Sequence, residues 1–151
     1  MTKWTVIIIA SGLGLGYSPV ASGTAGSLLG LPLAYLFVRL GGPWYPALTL
    51  ALFAVGVWAS GRAETIYGQK DCGKIVIDEV VGMLITLYLV PPTWQYYTAG
   101  FFLFRFFDIV KPYPAGTIDR KGWGGPGVML DDVFAAIYAN LCLQAIRALL
   151  A

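Results

Sequence analysis

Five apolar segments separated by turns constrain most strongly what this chain can fold into. They lie at about residues 26–40, 44–60, 80–91, 94–107 and 133–150. Some approach the roughly 20 residues that a helix needs to cross a bilayer, whereas the shorter ones require tilting or local thinning of the membrane. Only 12% of the residues are charged, about half the share of a soluble domain. The sequence therefore predicts an all-α fold, a small polytopic helical membrane protein with short or tilted spans in a lipid bilayer.

Length and composition also restrict the class of protein. With 151 residues and no internal repeat or linker, we expect one membrane-embedded domain over residues 1–151. A net charge of +2 without a basic stripe argues against a nucleic-acid partner. The chain has no histidine, which excludes histidine acid–base chemistry and histidine metal ligands. The two widely separated cysteines predict neither a disulfide framework nor a cysteine metal site.

Charged stretches and uncharged turns alternate along the chain. The turns at 41–46 and 91–97 carry proline and aromatic residues, whereas the stretches 61–79 and 108–132 carry most of the basic residues. Since cytoplasmic loops are rich in Lys and Arg, these two stretches are predicted to be cytoplasmic. Alternating spans then add residues 11–25 to that side and place the C-terminus on the other. The N-terminal apolar run loosely resembles a signal peptide, but glycines interrupt it and we expect it to be retained.

Two acidic pairs stand at the edges of apolar segments. Asp78 and Glu79 have apolar residues on both sides, and Asp131 and Asp132 come directly before the last apolar segment. One acid in a first helical turn could be a cap or complement the helix dipole, but carboxylates at membrane depth are costly. Asp78 and Glu79 look like ligands for a cation. Adjacent helical residues point about 100° apart, so of Asp131 and Asp132 we expect at most one to face a given ion directly. The other would bridge or bind a second ion.

The segment FFLFRFFDIVKPYP, residues 101–114, combines aromatic residues with a regular row of charges. Arg105, Asp108 and Lys111 are three residues apart and would share one broad face of a helix. Pro112 discourages the helix from continuing. The structural alternative is an arginine whose charged head reaches the interface and pairs with its own aspartate.

A glycine-rich stretch precedes the first long apolar helix. Gly23, Thr24 and Ser27 lie at its start, where exposed backbone N–H groups can bind an anion. On its own, this stretch is better explained as a flexible loop with an ordinary Ser or Thr cap, and the nucleotide-binding GxxxxGK[ST] motif is absent.

These groups together suit phosphoryl transfer on a substrate that is anchored in lipid. In such reactions, positioning and charge neutralisation supply most of the catalysis. The carboxylates that could hold one or two Mg²⁺ ions are Asp78, Glu79, Asp108, Asp131 and Asp132. The basic groups that could neutralise phosphate oxygens are Arg105, Lys111 and Arg120.

The segments SPVASGTAGS, IDEVVGMLIT, FRFFDIVKPYP and DRKGWGGPGVMLDD resemble the phosphatidylglycerophosphatase A family in order and spacing, over roughly residues 10–145. The resemblance implies a multi-pass, Mg²⁺-dependent phosphatase of the bacterial inner membrane. It would hydrolyse phosphatidylglycerophosphate to phosphatidylglycerol and inorganic phosphate on the cytoplasmic face. Trp123 stands where many relatives have histidine and Ala136 where glycine is common, but neither difference removes a carboxylate.

The resemblance also implies roles for the matching residues. Mg²⁺ would be held by the five carboxylates named above, and Glu79, Asp108, Asp131 and Asp132 would be catalytic. The substrate phosphate would be bound by Gly23, Thr24, Ser27, Arg105, Lys111 and Arg120. Whether water or an aspartate attacks phosphorus stays open, as do the number of metal ions, the strictness of head-group selection and homo-oligomerisation.

Other classes of protein remain as alternatives. A different Mg²⁺-dependent lipid phosphotransferase or phosphatase would use similar carboxylates, but the DGxxAR…GxxxD…D pattern of the CDP-alcohol transferases is missing. A small ion carrier would place its carboxylates deep within several spans, whereas here they gather near the ends of apolar segments. A purely structural subunit would leave the two acidic pairs without a role.

Overall fold

The computed structural model describes residues 2–150, and all regular elements within that range are helical. The helices are α1 (Lys3–Ala10), α2 (Ser22–Leu40), α3 (Trp44–Tyr67), α4 (Ile77–Thr86), α5 (Trp94–Val110), α6 (Ala115–Lys121) and α7 (Gly125–Leu150), with a 3₁₀ turn at Leu15–Tyr17. Several helices end where a glycine adopts a positive φ, as at Gly68 after α3 and Gly122 after α6. The all-α prediction is confirmed.

Among residues 2–150, three helices are long and apolar enough to cross a membrane. These are α2 with 19 residues, α3 with 24 and α7 with 26. In contrast, α4 has only 10 residues and is about 15 Å long, half the thickness of a hydrocarbon core. The apolar segment predicted at 80–91 is therefore a shorter helix, because the chain leaves the helical conformation at Leu87 and two prolines follow. The prediction of a helical membrane protein with short spans is confirmed.

The short helix α4 lies at the centre of the bundle. It packs mainly between α2 and α7, with α3 and α5 beside it, and most of its residues are buried. Glycines allow this close approach: a Cβ added to Gly82 would lie 2.5 Å from the ring of Phe104 in α5. Gly30 of α2 similarly faces Met83. The neighbouring helices thereby separate α4 from the surroundings of the bundle.

Side chains of α7 satisfy the carbonyl groups at the end of α4. We call Asn140, Gln144 and Arg147 the polar stripe of α7. Asn140 Nδ2 donates to the carbonyls of Thr86 and Tyr88 at 2.8 and 2.9 Å. Gln144 and Arg147 donate to further carbonyls of the turn at 86–89, and the Arg147 bond measures 2.9 Å. Because the last carbonyls of a helix lack partners within it, these bonds let α4 end inside the bundle.

The start of α2 and the end of α3 meet the start of α4 at one end of the bundle, which we call the polar end. There the hydroxyl groups of Tyr17 and Tyr67 are 2.8 Å apart. The Lys74 ammonium lies 5.3 Å from the ring centroids of both tyrosines, within the range of a cation–π interaction. The Ser22 hydroxyl donates to the Gly73 carbonyl at 2.6 Å. These contacts fix the first turn of α2 beside the first turn of α4.

Candidate active site

Three carboxylates converge at the polar end and form what we call the acidic trio. Asp78 and Glu79 come from the first turn of α4, and Asp132 comes from α7. One oxygen from each residue lies within 4.8 Å of those of the other two. Asp78 and Asp132 are only 7% and 3% exposed. The sequence predicted all three residues as metal ligands, and the fold brings them together.

The trio contains oxygens that lack any partner among the described residues. Asp78 Oδ1, Glu79 Oε2 and Asp132 Oδ2 are buried and accept no hydrogen bond. Burying a carboxylate oxygen without a partner is costly, and buried polar atoms in native proteins are almost always satisfied. The arrangement therefore fits a cation that binds oxygen ligands, such as a hard divalent ion.

Local structure explains why the two acids of α4 sit where they do. The backbone amide of Val76 donates to the Ala10 carbonyl at 2.9 Å, which fixes the chain just before α4 begins. The following acids lie in the first helical turn, where the positive end of the helix dipole stabilises negative charge. Both belong to the trio.

The second acidic pair does diverge, as expected from the 100° step between helical neighbours. Asp132 joins the trio, whereas Asp131 accepts a hydrogen bond from Lys111 Nζ at 2.6 Å. The other carboxylate oxygen of Asp131 accepts the backbone N–H of Asp132 at 3.0 Å. Lys111 also pairs with Asp119 at 3.4 Å. Asp131 is thus held in a fixed orientation by the Lys111 ammonium and the backbone of Asp132, and its carboxylate is not part of the trio.

The row of charges in residues 101–114 divides into two parts. Arg105 forms an ion pair with Asp108 one turn later, and the carboxylate of Asp108 adjoins that of Asp132. Helix α5 ends at Val110, and Lys111 follows with a left-handed φ of 49°. Lys111 therefore does not continue the helical face of Arg105 and Asp108 but turns towards Asp131.

The start of α2 completes the polar surroundings of the trio. Glu79 Oε1 and the terminal nitrogens of Arg105 lie 2.5–3.3 Å from the position that a Cβ on Gly23 would occupy. The first backbone bond recorded at this helix start runs from Ala25 to Ala21, and no side chain caps the helix. The N–H groups of residues 22–24 are thus available beside Arg105 and Glu79.

The other predicted phosphate-binding residues are placed differently. The Ser27 hydroxyl is buried and donates to the Gly23 carbonyl at 2.9 Å within its own helix. Thr24 is half-buried in the first turn of α2. Arg120 is exposed and donates through Nε to the Gly116 carbonyl at 2.9 Å. None of these three side chains forms a hydrogen bond or an ion pair with the trio.

Two acids near the site were not singled out from the sequence. Asp119 pairs with Lys111, and the backbone N–H of Asp71 donates to Glu64 Oε1 at 2.7 Å. Burial raises the pKa of Asp71, an effect that Lys111 opposes and the nearby acids reinforce. Burial alone would lower the pKa of Lys111, but its hydrogen bond to Asp131 and the surrounding acids raise it above its ordinary value. The lysine is therefore protonated at neutral pH.

Negative charge predominates in the site. The five carboxylates predicted as ligands face two basic groups, Arg105 and Lys111, which leaves an excess of three negative charges when all are ionised. Such an excess in a largely buried site is unfavourable without a further cation. The charge count and the unpaired oxygens of the trio both fit a divalent ion.

Comparison with known proteins adds independent information. The family model for phosphatidylglycerophosphatase A matches residues 8–147. Phosphatidylglycerophosphatase A of Escherichia coli is 40% identical over 133 residues, which cover 86% of this chain and 76% of that protein. The protein of the same name from Haemophilus influenzae is 41% identical over 142 residues, covering 93% and 87%.

A third relative carries a different name. The putative phosphatidylinositol-3-phosphatase of Bacteroides thetaiotaomicron is 39% identical over 149 residues, which cover 93% of this chain and 92% of that protein. No solved structure matches the chain. Since the family model and these relatives span most of the chain, the trio and its surroundings lie within the matched region, and the chain belongs to the phosphatidylglycerophosphatase A family.

Proposed function

We propose that this phosphatase hydrolyses phosphatidylglycerophosphate to phosphatidylglycerol and inorganic phosphate, with Mg²⁺ as its cofactor. The observation that carries the proposal is the acidic trio, whose unpaired oxygens lie beside Arg105 at the polar end of a membrane bundle. Two relatives named phosphatidylglycerophosphatase A, about 40% identical over most of the chain, support this substrate.

Asp78, Glu79 and Asp132 would hold the Mg²⁺ ion. When bound, a divalent ion supplies charge neutralisation for phosphate oxygens and makes a water molecule more acidic. Oxygen-only ligands suit Mg²⁺, which is commonly bound by carboxylates together with substrate phosphate. The absence of histidine in the chain leaves carboxylates as the ligands that the site provides.

The phosphate group of the substrate would be bound on the α2 side of the trio. Arg105 can donate hydrogen bonds there through nitrogens that lie next to Gly23, and guanidinium groups match phosphate geometry. The backbone N–H groups of residues 22–24 point from a helix start, an arrangement that favours anions. Lys111 adds positive charge at the rim, next to Asp131.

Two further carboxylates would move protons. Hydrolysis requires a proton to leave the attacking water and a proton to reach the departing glycerol oxygen. Asp108 adjoins Asp132 and is oriented by Arg105. Asp131 is oriented by Lys111. In the absence of histidine, we assign proton transfer to these two residues.

The proposal places the reaction at the cytoplasmic face of the bacterial inner membrane. The long apolar helices keep the protein in the bilayer, so the acyl chains of the substrate can stay in lipid while its phosphate reaches the polar end. Lys70, Lys74, Lys111, Arg120 and Lys121 belong to stretches at that end, as expected of cytoplasmic segments.

The test is phosphate release from phosphatidylglycerophosphate by the purified protein in detergent. We expect release with Mg²⁺ and none with EDTA. Asp132→Asn should lower the rate by at least about 100-fold, more than typical losses at groups that only support metal ligands. Thermal unfolding provides a second readout, since Mg²⁺ should stabilise the wild-type protein but not Asp132→Asn.

Glu64→Gln is the matched control for Asp132→Asn. It also removes one carboxylate from the polar end, and Gln can still accept the bond from the Asp71 backbone. This variant should keep the wild-type rate and the Mg²⁺-dependent stabilisation. Undiminished release in EDTA, or an Asp132→Asn variant as active as Glu64→Gln, would contradict the proposal.

A second substrate deserves direct comparison because of the relative from Bacteroides thetaiotaomicron. Phosphatidylinositol 3-phosphate carries the same kind of phosphate monoester on a bulkier head group. We expect slower release from it than from phosphatidylglycerophosphate in the same assay. A faster rate would assign the inositol lipid as the substrate while leaving the metal site unchanged.

A further inference from the structure

A cavity between α1 and α3 has no role in the proposed reaction. Its volume is about 270 Å³, and its walls are formed by Lys3, Val6, Trp58, Arg62, Thr65 and Ile66. It opens on a side of α3 different from the one that packs against α7. Gly61 approaches Gly125 of α7, whereas Arg62, the next residue, points about 100° away. The cavity is therefore separate from the acidic trio.

The charges of this cavity lack partners within residues 2–150. Of the basic residues, Lys3, Arg62 and Lys70 are those whose side chains form no hydrogen bond, ion pair or cation–π contact in that range. Lys3 and Arg62 line the same cavity, and no carboxylate lines it with them. Two positive charges thus face one concave space without an internal counter-ion.

The depth and lining of the cavity indicate what kind of anion it takes. Gly56 packs against Ile77 at the start of α4. Arg62 lies six residues further along α3, roughly 9 Å nearer to the C-terminal end of α3. The indole of Trp58 is 37% exposed, and tryptophan favours the level of lipid head groups. Val6 and Ile66 form an apolar part of the wall, against which the start of a lipid acyl chain could pack.

We propose that this cavity binds the phosphate diester of an anionic phospholipid. Basic pockets between helices at the membrane surface are a known way to bind anionic head groups. The Lys3 ammonium and the Arg62 guanidinium would share the phosphate, and Trp58 would lie at the glycerol level. Thr65 also lines the cavity, and its hydroxyl donates to the Gly61 carbonyl at 3.2 Å. The inference does not depend on the proposed function, because none of these residues belongs to the acidic trio or its surroundings.

Fluorescence quenching by brominated lipids tests the site directly. The full chain is placed in detergent micelles containing phosphatidylglycerol or phosphatidylcholine with brominated acyl chains, at equal mole fractions. The signal from Trp58 is the difference between the wild-type protein and Trp58→Phe. We expect phosphatidylglycerol to quench Trp58 at lower mole fractions than phosphatidylcholine. Lys3→Gln and Arg62→Gln should each weaken that preference about fivefold, and the double variant should abolish it.

The controls separate the cavity from general charge effects. Arg39→Gln combined with Lys70→Gln removes the same net charge at exposed positions outside the cavity and should keep the preference for phosphatidylglycerol. A thermal unfolding transition confirms that each variant is folded. If the double variant does not fold, the quenching preferences of Lys3→Gln and Arg62→Gln test the proposal. Equal quenching by both lipids, or a preference that survives in folded charge variants of the cavity, overturns the proposal.

A free anion is the competing occupant. Inorganic phosphate, added at matched ionic strength, should leave the quenching by brominated phosphatidylglycerol unchanged. If it relieves the quenching in the wild-type protein, the cavity takes a free phosphate ion and its assignment to a lipid is wrong.

Discussion

At Gly23 the backbone of α2 lies against Glu79 and Arg105, and no side chain separates them. A Cβ at this position would be 2.5 Å from Glu79 Oε1 and 3.1 Å from Arg105 Nη1. Both neighbours are side-chain ends that can move, so the helix itself would tolerate alanine. The acid and the arginine would have to shift, and in the proposed mechanism both must keep their places.

We therefore predict that Gly23→Ala lowers kcat/KM by roughly 10- to 100-fold, since displacements of about 1 Å can cost that much in catalysis. Its thermal stability should stay equal or rise slightly, because alanine favours a helix over glycine. Gly73→Ala is the matched control, since its nearest neighbour would be the Ser22 hydroxyl at 4.0 Å. Equal activity of the two variants would show that the approach of α2 to Glu79 is not needed for turnover.

For individual residues, the sequence was enough to predict which charged side chains belong to the site, but not which residues they contact. Carboxylates are rare in apolar segments, so Asp78, Glu79 and Asp132 were conspicuous. The pairing of Lys111 with Asp119 depends instead on the end of α5 and the reversal into α6. No local pattern encodes such a contact, because the two residues meet only through the path of the chain between them.

Among the helices, α4 depends most on its neighbours. It is too short to be stable alone in water or to cross a bilayer. Side chains of α7 donate to its last carbonyl, that of Thr86, and to the carbonyls of Tyr88 and Leu89 in the turn that follows. The sequence suggested a longer apolar segment at 80–91 because hydrophobicity continues past Thr86. The end of the helix could not be located from the sequence, since the side chains that donate to its last carbonyl and to the following turn lie more than 50 residues further along the chain.

We predict that Asn140→Leu destabilises the protein by about 1–3 kcal/mol, because the carbonyl of Thr86, a buried residue, loses the amide of Asn140 as its donor. Unfolding in detergent, followed by circular dichroism against increasing SDS, measures this change. Tyr138→Phe serves as the comparison, since it removes a hydrogen bond from the same helix to the Tyr113 carbonyl rather than to α4. A loss no larger than that of Tyr138→Phe would mean that the polar stripe does not stabilise α4.

For the whole molecule, the proposed orientation makes a separate prediction. Lys121 is exposed at the end of α6, and Gln95 is exposed at the start of α5. In a background without Cys72 and Cys142, Lys121→Cys should react with a membrane-impermeant maleimide in inverted vesicles but not in intact spheroplasts. Gln95→Cys should show the opposite pattern. Reversal of both results would place the site on the other face of the membrane.

Helix α7 meets α4 at both ends: Asp132 joins Asp78 and Glu79 in the acidic trio, and the polar stripe lies about 12 to 22 Å further along the axis of α7. Contacts within the protein therefore fix the position of α4 along the axis of α7. In a thicker or thinner bilayer, the long helices can tilt or the lipid can deform around their ends. A change in bilayer thickness should not alter the distances between Asp132 and the two acids of α4. Helix α4 is about half as long as the bilayer core is thick and is enclosed by other helices, so its length does not have to match the thickness of the lipid.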